Sequence, residues 1–140
     1  MKKWEPESIE DQLLEKYWNE NKGVIFAEVP VGLSSGRGNW PKGTKVRRID
    51  GIRLEKLPGK PNGIYRATGD FAGFLKNIGQ IELIEIKKTL NRLVIGQAIV
   101  VTDMIQREYG DIDIQPVIIC SQSDPGMEWV CEKRGIKVFK

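Results

Sequence analysis

The apolar positions of the chain divide it into segments with the period of strands and segments with the period of helices. One segment, 81–88, reads Ile-Glu-Leu-Ile-Glu-Ile-Lys-Lys, and its isoleucine content predicts a strand rather than a helix. Alternation places Ile81, Leu83, Glu85 and Lys87 on one face of this strand. Glu85 and Lys87 then lie about 7 Å apart, close enough to act on one ligand. An exposed ion pair at a strand end would produce the same pattern.

Four further apolar segments predict strands at 24–31, 45–55, 112–122 and 136–139. The second of them carries Asp50 within an otherwise apolar stretch. Simple alternation puts Asp50 on one face with Val46, Arg48, Ile52 and Leu54, unless Gly51 marks a bulge that changes the phase. A carboxylate buried in such a strand is costly unless it is paired or bound to a cation.

Three segments have helical spacing. Ser8 precedes the first, which stops at Asn21-Lys22-Gly23. Thr89 or Asn91 precedes the second, predicted over 92–109, and the third runs from Ser123-Asp124-Pro125 to Arg134-Gly135. The predicted apolar face of the second helix comprises Leu93, Val94, Gln97, Ala98, Val101, Met104 and Ile105. Gln97 is the one amide among these apolar residues.

The resulting order is α-β-β-β-α-β-α-β, which predicts an α/β fold in three layers, with a central mixed sheet flanked by helices. The strand–helix–strand units at the end predict parallel pairs with right-handed crossovers. The segment from 57 to 80 is the hardest to interpret, with a short strand at 64–67 and a helical turn or lid at 70–77 as options. A length of 140 residues predicts a single domain, residues 1–140.

Composition removes several kinds of chemistry. The chain has no histidine, which excludes a Ser-His-Asp triad, a histidine base and a zinc site with imidazole ligands. Cys120 and Cys131 are predicted to be reduced thiols. No apolar run approaches the ~20 residues that span a membrane, and the first residues lack the apolar core of a signal peptide. We therefore expect a cytoplasmic protein.

The basic residues concentrate in one segment. The chain carries a net charge of +3, yet residues 41–66 alone hold eight basic and two acidic side chains. Such a segment suits a polyanion such as nucleic acid, although a solvated basic face has the same composition. The candidate phosphate-binding residues are Lys42, Lys45, Arg47, Arg48 and Arg53.

Asp50, then Glu85-Ile86-Lys87, then Gln97 on the next helix follow an order that resembles the PD-(D/E)xK nuclease superfamily, which has the restriction-endonuclease-like fold. The resemblance covers nearly the whole chain in element order. It implies Mg²⁺ or Mn²⁺ held by Asp50, Glu85 and the Ile86 carbonyl, with Lys87 acting on the attacking water. It further implies that Gln97 orients the water or Lys87. Many members carry an acidic residue on an N-terminal helix, here matched best by Glu10.

Two features depart from the family pattern. Ile49 stands where the family name has proline, and Glu85 follows Asp50 by 35 positions, which requires an insertion. The implied function is a metal-dependent nuclease, with DNA the favoured substrate and a homodimer an open option. A non-catalytic nucleic-acid- or protein-binding module with this fold is the main alternative. A plain α/β ligand-binding domain should have a Gly-rich phosphate loop between a strand and a helix, and none is found there.

Overall fold

Each helix of the described chain begins at a side chain that accepts a free backbone N–H group. The computed structural model describes residues 4–33, 37–67, 79–110 and 112–140. Helix α1 spans Ile9–Asn21, α2 spans Arg92–Tyr109 and α3 spans Pro125–Lys133. The side chains of Ser8, Asn91 and Asp124 cap these helices. Each accepts a hydrogen bond from the backbone N–H of the residue three positions later. The three helices predicted from the sequence are thus confirmed.

Six strands form one sheet in the described part of the chain. They are β1 Val24–Val31, β2 Arg47–Leu54, β3 Gly63–Arg66, β4 Gln80–Ile86, β5 Asp113–Ile119 and β6 Lys137–Phe139. Their order in the sheet is β3-β1-β2-β4-β5-β6. Strand β2 is antiparallel to β1 and β4, whereas the other neighbours are parallel. The sheet is therefore mixed, with the parallel pairs at the end of the chain that the sequence predicted.

The predicted order of elements was wrong in one respect. Strand β3 pairs in parallel with β1, so that Val24 lies opposite Gly63 and Ala27 opposite Arg66. Four strands therefore precede α2, where the sequence order had three. The short strand considered at 64–67 is confirmed as β3, but its turn-rich surroundings kept it out of the predicted order. The helical turn or lid predicted at 70–77 lies outside the described residues.

The helices cover both faces of the sheet. On one face, Leu14 and Tyr17 of α1 pack into a core with Ile25, Ala27 and Ile84. On the other face, α2 packs over β1, β2 and β4, and its first half shares a second core with α3 and β5. This arrangement gives three layers. Cys120 and Cys131 are buried free thiols in the core between α2, α3 and β5.

An irregularity shared by β1 and β2 changes the phase of both strands. Ile49 lies in the same core as Ile52, and a Cβ on Gly51 would point at α1, 3.6 Å from Leu14. Glu28, which stands opposite Asp50 in the register of β1 and β2, has a φ of +58°. Plain alternation through Val46, Arg48, Asp50, Ile52 and Leu54 was therefore wrong. Both strands instead change phase at Glu28 and Asp50, where one residue on each strand leaves the ladder without a shift of register, close to the change of phase at Gly51 that the sequence allowed.

The candidate residues gather at one edge of the sheet because of how the strands pair. Val31, the last residue of β1, lies opposite Arg47, the first of β2, and Gly51 lies opposite Ile84 near the end of β4. The end of β1, the beginning of β2 and the end of β4 consequently meet. None of the described helices is long and apolar enough to cross a lipid bilayer.

Candidate active site

Asp50 and Glu85 lie where the pairing of two central strands stops. The last paired residues of β2 and β4 are Gly51 and Ile84, and Asp50 and Glu85 are the next residue on each strand. Oδ2 of Asp50 accepts the N–H of Ile86 at 2.7 Å, which replaces the backbone partner that a continued ladder would supply. The two carboxyl groups lie within hydrogen-bonding reach of each other. The end of the ladder thus holds two acids side by side.

Glu85 is buried and Asp50 is half-buried, and their surroundings disfavour two negative charges. Glu85 is 5% exposed, and burial, together with the hydrogen bond and negative charge of Asp50, raises its pKa to about 9. Burial also raises the pKa of Asp50, against the opposing effect of the Glu85 and Ile86 hydrogen bonds. Within the described residues, no lysine or arginine forms an ion pair with either carboxylate. The site therefore favours a proton or a cation between the two groups.

Glu10 and Lys87 flank the pair. Glu10 lies in the first turn of α1, and its pKa is raised by partial burial and by the charge of Asp50, while Lys87 lowers it. Lys87 follows β4, where its backbone N–H donates to the Ile119 carbonyl at 3.0 Å and its side chain is exposed. Helix α1 and the end of β4 thus bring one further acid and one cation to the two carboxyl groups.

A cleft of about 590 Å³ opens over this group of residues. Its cations are Arg47, Arg48, Lys87 and Arg92, and its acids are Glu10, Asp50 and Glu85. One wall is the outward side of α2, with Leu93, Gly96, Gln97 and Val100. The geometry combines an acidic floor with a basic rim, an arrangement that can hold a cation beneath a phosphate group.

Gln97 faces this cleft and not the core. The buried residues of α2 are Val94, Ile95, Ala98, Val101, Met104 and Ile105. Including Leu93 and Gln97 in the buried face was wrong, because Leu93 is 63% exposed and Gln97 is exposed as well. The helix is rotated so that Ile95 packs inward. The amide of Gln97 therefore needs no buried partner, and it lies in the same cleft as Lys87.

The basic residues selected from the sequence separate into two groups. Arg47 and Arg48 line the cleft, while Lys42 and Lys45 are exposed on the loop that leads to them. Arg53 was assigned wrongly to this surface. Its guanidinium binds the carbonyls of Asn21 and Lys22 at 2.7 Å and pairs with Glu82 at 3.1 Å, which fixes the end of α1 to the sheet.

Arg92 lines the cleft but was missed in the sequence. It is the first residue of α2, a few residues after the end of β4. That position was itself a signal, because the first turn of a helix that follows a strand lies beside the end of that strand.

The donor set fits an oxygen-loving divalent ion. Among the described residues there is no group of three or more carboxylate, thiol or imidazole side chains that would hold a metal by themselves. Mg²⁺ commonly takes only one or two carboxylates and completes its six ligands with water and substrate oxygens. Asp50 and Glu85 supply two carboxylates, and the main chain of Ile86 lies against them.

Comparison with known proteins gives information on the fold alone, from one solved structure. No family model and no curated protein matches the sequence. Among solved structures, the fold is similar to the crystal structure of a repair endonuclease from Pyrococcus abyssi, with a TM-score of 0.50 and 16% sequence identity. The match covers 100% of this chain and 49% of that protein, so the present chain spans about half its length. The α/β architecture is thus one that a nuclease uses.

Proposed function

We propose that this chain is a divalent-metal-dependent nuclease that hydrolyses phosphodiester bonds, with DNA as the favoured substrate. The observation that carries the proposal is the pair of adjacent carboxyl groups of Asp50 and Glu85, which forms no ion pair among the described residues and lies at the floor of a cleft with a basic rim. Asp50, Glu85 and the Ile86 carbonyl would hold Mg²⁺ or Mn²⁺. The likeness in fold to a repair endonuclease supports the same reading.

The charge and position of three further side chains in the cleft indicate a role for each. When bound, the metal ion lowers the pKa of water and polarises the phosphate. The Lys87 ammonium, on the same strand face as Glu85, would hold the attacking water and offset the charge that develops on the phosphate oxygens. Gln97 would orient that water from the opposite wall. Glu10 would accept hydrogen bonds from water bound to the metal.

The positive residues outside the carboxylate pair would hold the nucleic acid without reading its sequence. Arg47, Arg48 and Arg92 line the cleft, and Lys42 and Lys45 extend the positive surface onto the adjoining loop. Contacts of this kind are made to phosphates, so they place the backbone but carry little base specificity. A second copy in a homodimer would lengthen this surface, which light scattering of the protein with and without duplex would detect.

Incubation of the protein with plasmid, linear duplex, single-stranded DNA and RNA tests the proposal. We expect cleavage with Mg²⁺ or Mn²⁺, none with EDTA, and loss of cleavage in Asp50→Asn and Glu85→Gln. Asp113→Asn provides the matched control, because Asp113 begins β5 at the opposite end of the sheet. Binding without cleavage under every condition would contradict the proposal and favour the non-catalytic module.

A further inference from the structure

The loop between β1 and β2, residues 32–46, is held at its start and near its middle by one residue of α2. Oε1 of Glu108 accepts the N–H of Gly32 at 2.7 Å, just after β1, and the indole Nε1–H of Trp40 at 2.8 Å. These contacts join residues that are 68 and 76 positions apart in sequence. A single carboxylate near the end of α2 therefore fixes the start of the loop and the position of its Trp40 side chain.

The neighbouring residue Arg107 reinforces this attachment. Its guanidinium lies over the Trp40 ring, 4.4 Å from the ring centre, and donates to the carbonyls of Gly38 and Asn39 at 2.9 and 3.1 Å. Asn39 itself has a φ of +49°, in the left-handed region that asparagine adopts more readily than most other non-glycine residues. Two charged side chains and one indole thus hold the described part of this glycine-rich loop in place.

The attached loop carries positively charged side chains at the edge of the sheet where the cleft opens. Lys42 and Lys45 are exposed, and within the described residues neither forms an ion pair. Two residues later, Arg47 and Arg48 line the cleft. The positive surface is therefore continuous along the chain from the tethered loop to the rim of the site.

Helix α2 joins the two ends of this surface. Its first residue, Arg92, lines the cleft, and Arg107 holds the loop, which places them about 22 Å apart along the helix at 1.5 Å per residue. At 3.4 Å per nucleotide of one DNA strand, that distance corresponds to roughly six phosphates. The helix thus connects the cleft, through Arg92, to the residue that holds the loop.

We propose that Glu108, Trp40 and Arg107 are positioning residues that hold Lys42 and Lys45 as a second phosphate-contacting element, outside the cleft. This inference rests on the proposed function for the identity of the polyanion. It assigns a role to side chains that touch neither metal nor scissile phosphate. Their contribution is to limit the conformations of the loop before binding, so that less freedom is lost when the nucleic acid arrives.

The test is the salt dependence of binding to a labelled DNA duplex, measured by fluorescence anisotropy in EDTA so that no cleavage is needed. Lys42→Ala with Lys45→Ala should lower the slope of log affinity against log salt by up to about 2 and weaken binding roughly tenfold. Glu108→Ala should give a change of the same kind. Trp40→Phe, which keeps the ring but removes the N–H donor, should give a smaller one.

The decisive variant combines Glu108→Ala with both lysine substitutions. If Glu108 acts by placing these lysines, its removal should add nothing once they are gone. Additive losses, or a Glu108→Ala variant that melts earlier yet keeps the wild-type salt slope, would overturn the inference. Trp129→Phe, on exposed α3, is the matched control for Trp40→Phe and should leave the slope unchanged.

The same experiment separates this inference from the proposed function. A wild-type protein that binds duplex but never cleaves it would contradict the nuclease proposal. The loop inference would then be judged by the salt slopes of the variants alone. If the wild-type protein cleaves DNA and Glu108→Ala keeps the wild-type salt dependence of binding, the nuclease proposal stands and the loop inference is contradicted. The absence of any salt-dependent binding by the wild type would overturn the loop inference.

Discussion

Two glutamates of β4, three residues apart, have opposite surroundings. Glu82 accepts a hydrogen bond from the Tyr17 hydroxyl at 2.7 Å and pairs with Arg53 at 3.1 Å and Lys137 at 3.9 Å. Glu85, on the other face, lies beside the Asp50 carboxyl group and has no ion pair within the described residues. One carboxylate has its charge compensated by the fold, whereas the other does not.

The difference separates a structural acid from a candidate functional one. Arg53 and Tyr17 bring α1, β2 and β4 together around Glu82, so this network stabilises the packing of α1 on the sheet. The pair of Asp50 and Glu85 costs stability because burial penalises its charged form. A cost of this kind persists in a fold when a ligand offsets it. Replacing each of the two glutamates by glutamine should therefore have different consequences for activity and for stability.

The largest expected effect is on cleavage by Asp50→Asn and Glu85→Gln. Each substitution removes a charge that would hold the metal, and we expect turnover to fall roughly a thousandfold or more. Thermal stability of the metal-free protein should be unchanged or higher, since each variant replaces one of two adjacent carboxyl groups, whose charged forms burial penalises, with a neutral amide. Glu82→Gln should do the opposite, with turnover per folded molecule kept and stability lowered. Equal loss of turnover in all three variants would contradict the assignment of Glu85 to function and Glu82 to structure.

Lys87→Ala should have the next largest effect. We expect turnover to fall roughly a hundredfold or more while affinity for nucleic acid changes little, because Lys87 is assigned to the transition state. Lys88→Ala is the matched control, since Lys88 is the adjacent exposed lysine and lies outside the residues that line the cleft. Single-turnover cleavage and anisotropy binding together measure the two quantities. A Lys87→Ala variant that loses affinity and keeps its rate would refute this role.

Breaking the compensated network should cost stability. Arg53→Ala leaves Glu82 without its nearest cation and removes two hydrogen bonds to the end of α1. Because both side chains are largely buried, we expect a loss of about 2–3 kcal/mol in the free energy of unfolding, measured by urea denaturation. Lys45→Ala, an exposed residue of the same basic segment, should change it by less than about 0.5 kcal/mol. Similar values for the two variants would show that Arg53 belongs with the surface cations after all.

The last expected effect is on the pH dependence of stability without metal. The pKa of Glu85 is raised from 4.5 to about 9 in the folded protein, so the folded state binds the extra proton between these values. Its contribution to stability is therefore full below pH 4.5 and is lost as pH rises towards 9. Thermal melts in EDTA should show this decline, which Glu85→Gln should flatten and Glu82→Gln should leave in place. A Glu85→Gln variant with the wild-type pH profile would contradict the assignment.

Periodicity predicted much of this fold because most of the elements are encoded locally. The bounds of β1 and the cap at Ser8 depend on residues next to one another in sequence. Sequence reasoning could only leave the phase of β2 open, because the irregularity at Asp50 is shared with Glu28 on another strand. The orientation of α2 depends on packing against β1 and β5, so Gln97 was placed in the core when it lies in the cleft.

Contacts between residues distant in sequence also limited the prediction of the candidate site. The sequence brought Asp50, Glu85 and Lys87 into one hypothesis through a pattern of residue types, and the fold places all three in one cleft. It could not distinguish Arg53 from Arg47, since both are arginines of one basic strand. Only the tertiary contacts of Arg53 with the end of α1 separate them. The attachment of Trp40 to Glu108 likewise joins distant parts of the chain and leaves no local pattern.

Titration of the protein with Mn²⁺, followed by the loss of the free-ion signal in electron paramagnetic resonance, tests the central claim most directly. We predict saturable binding of Mn²⁺ to the wild type and to Glu82→Gln, displaced by Mg²⁺, and its loss in Asp50→Asn and Glu85→Gln. Saturable Mn²⁺ binding that survives in both of these variants, or its absence from the wild type, would contradict the claim that the uncompensated carboxylates form a metal site.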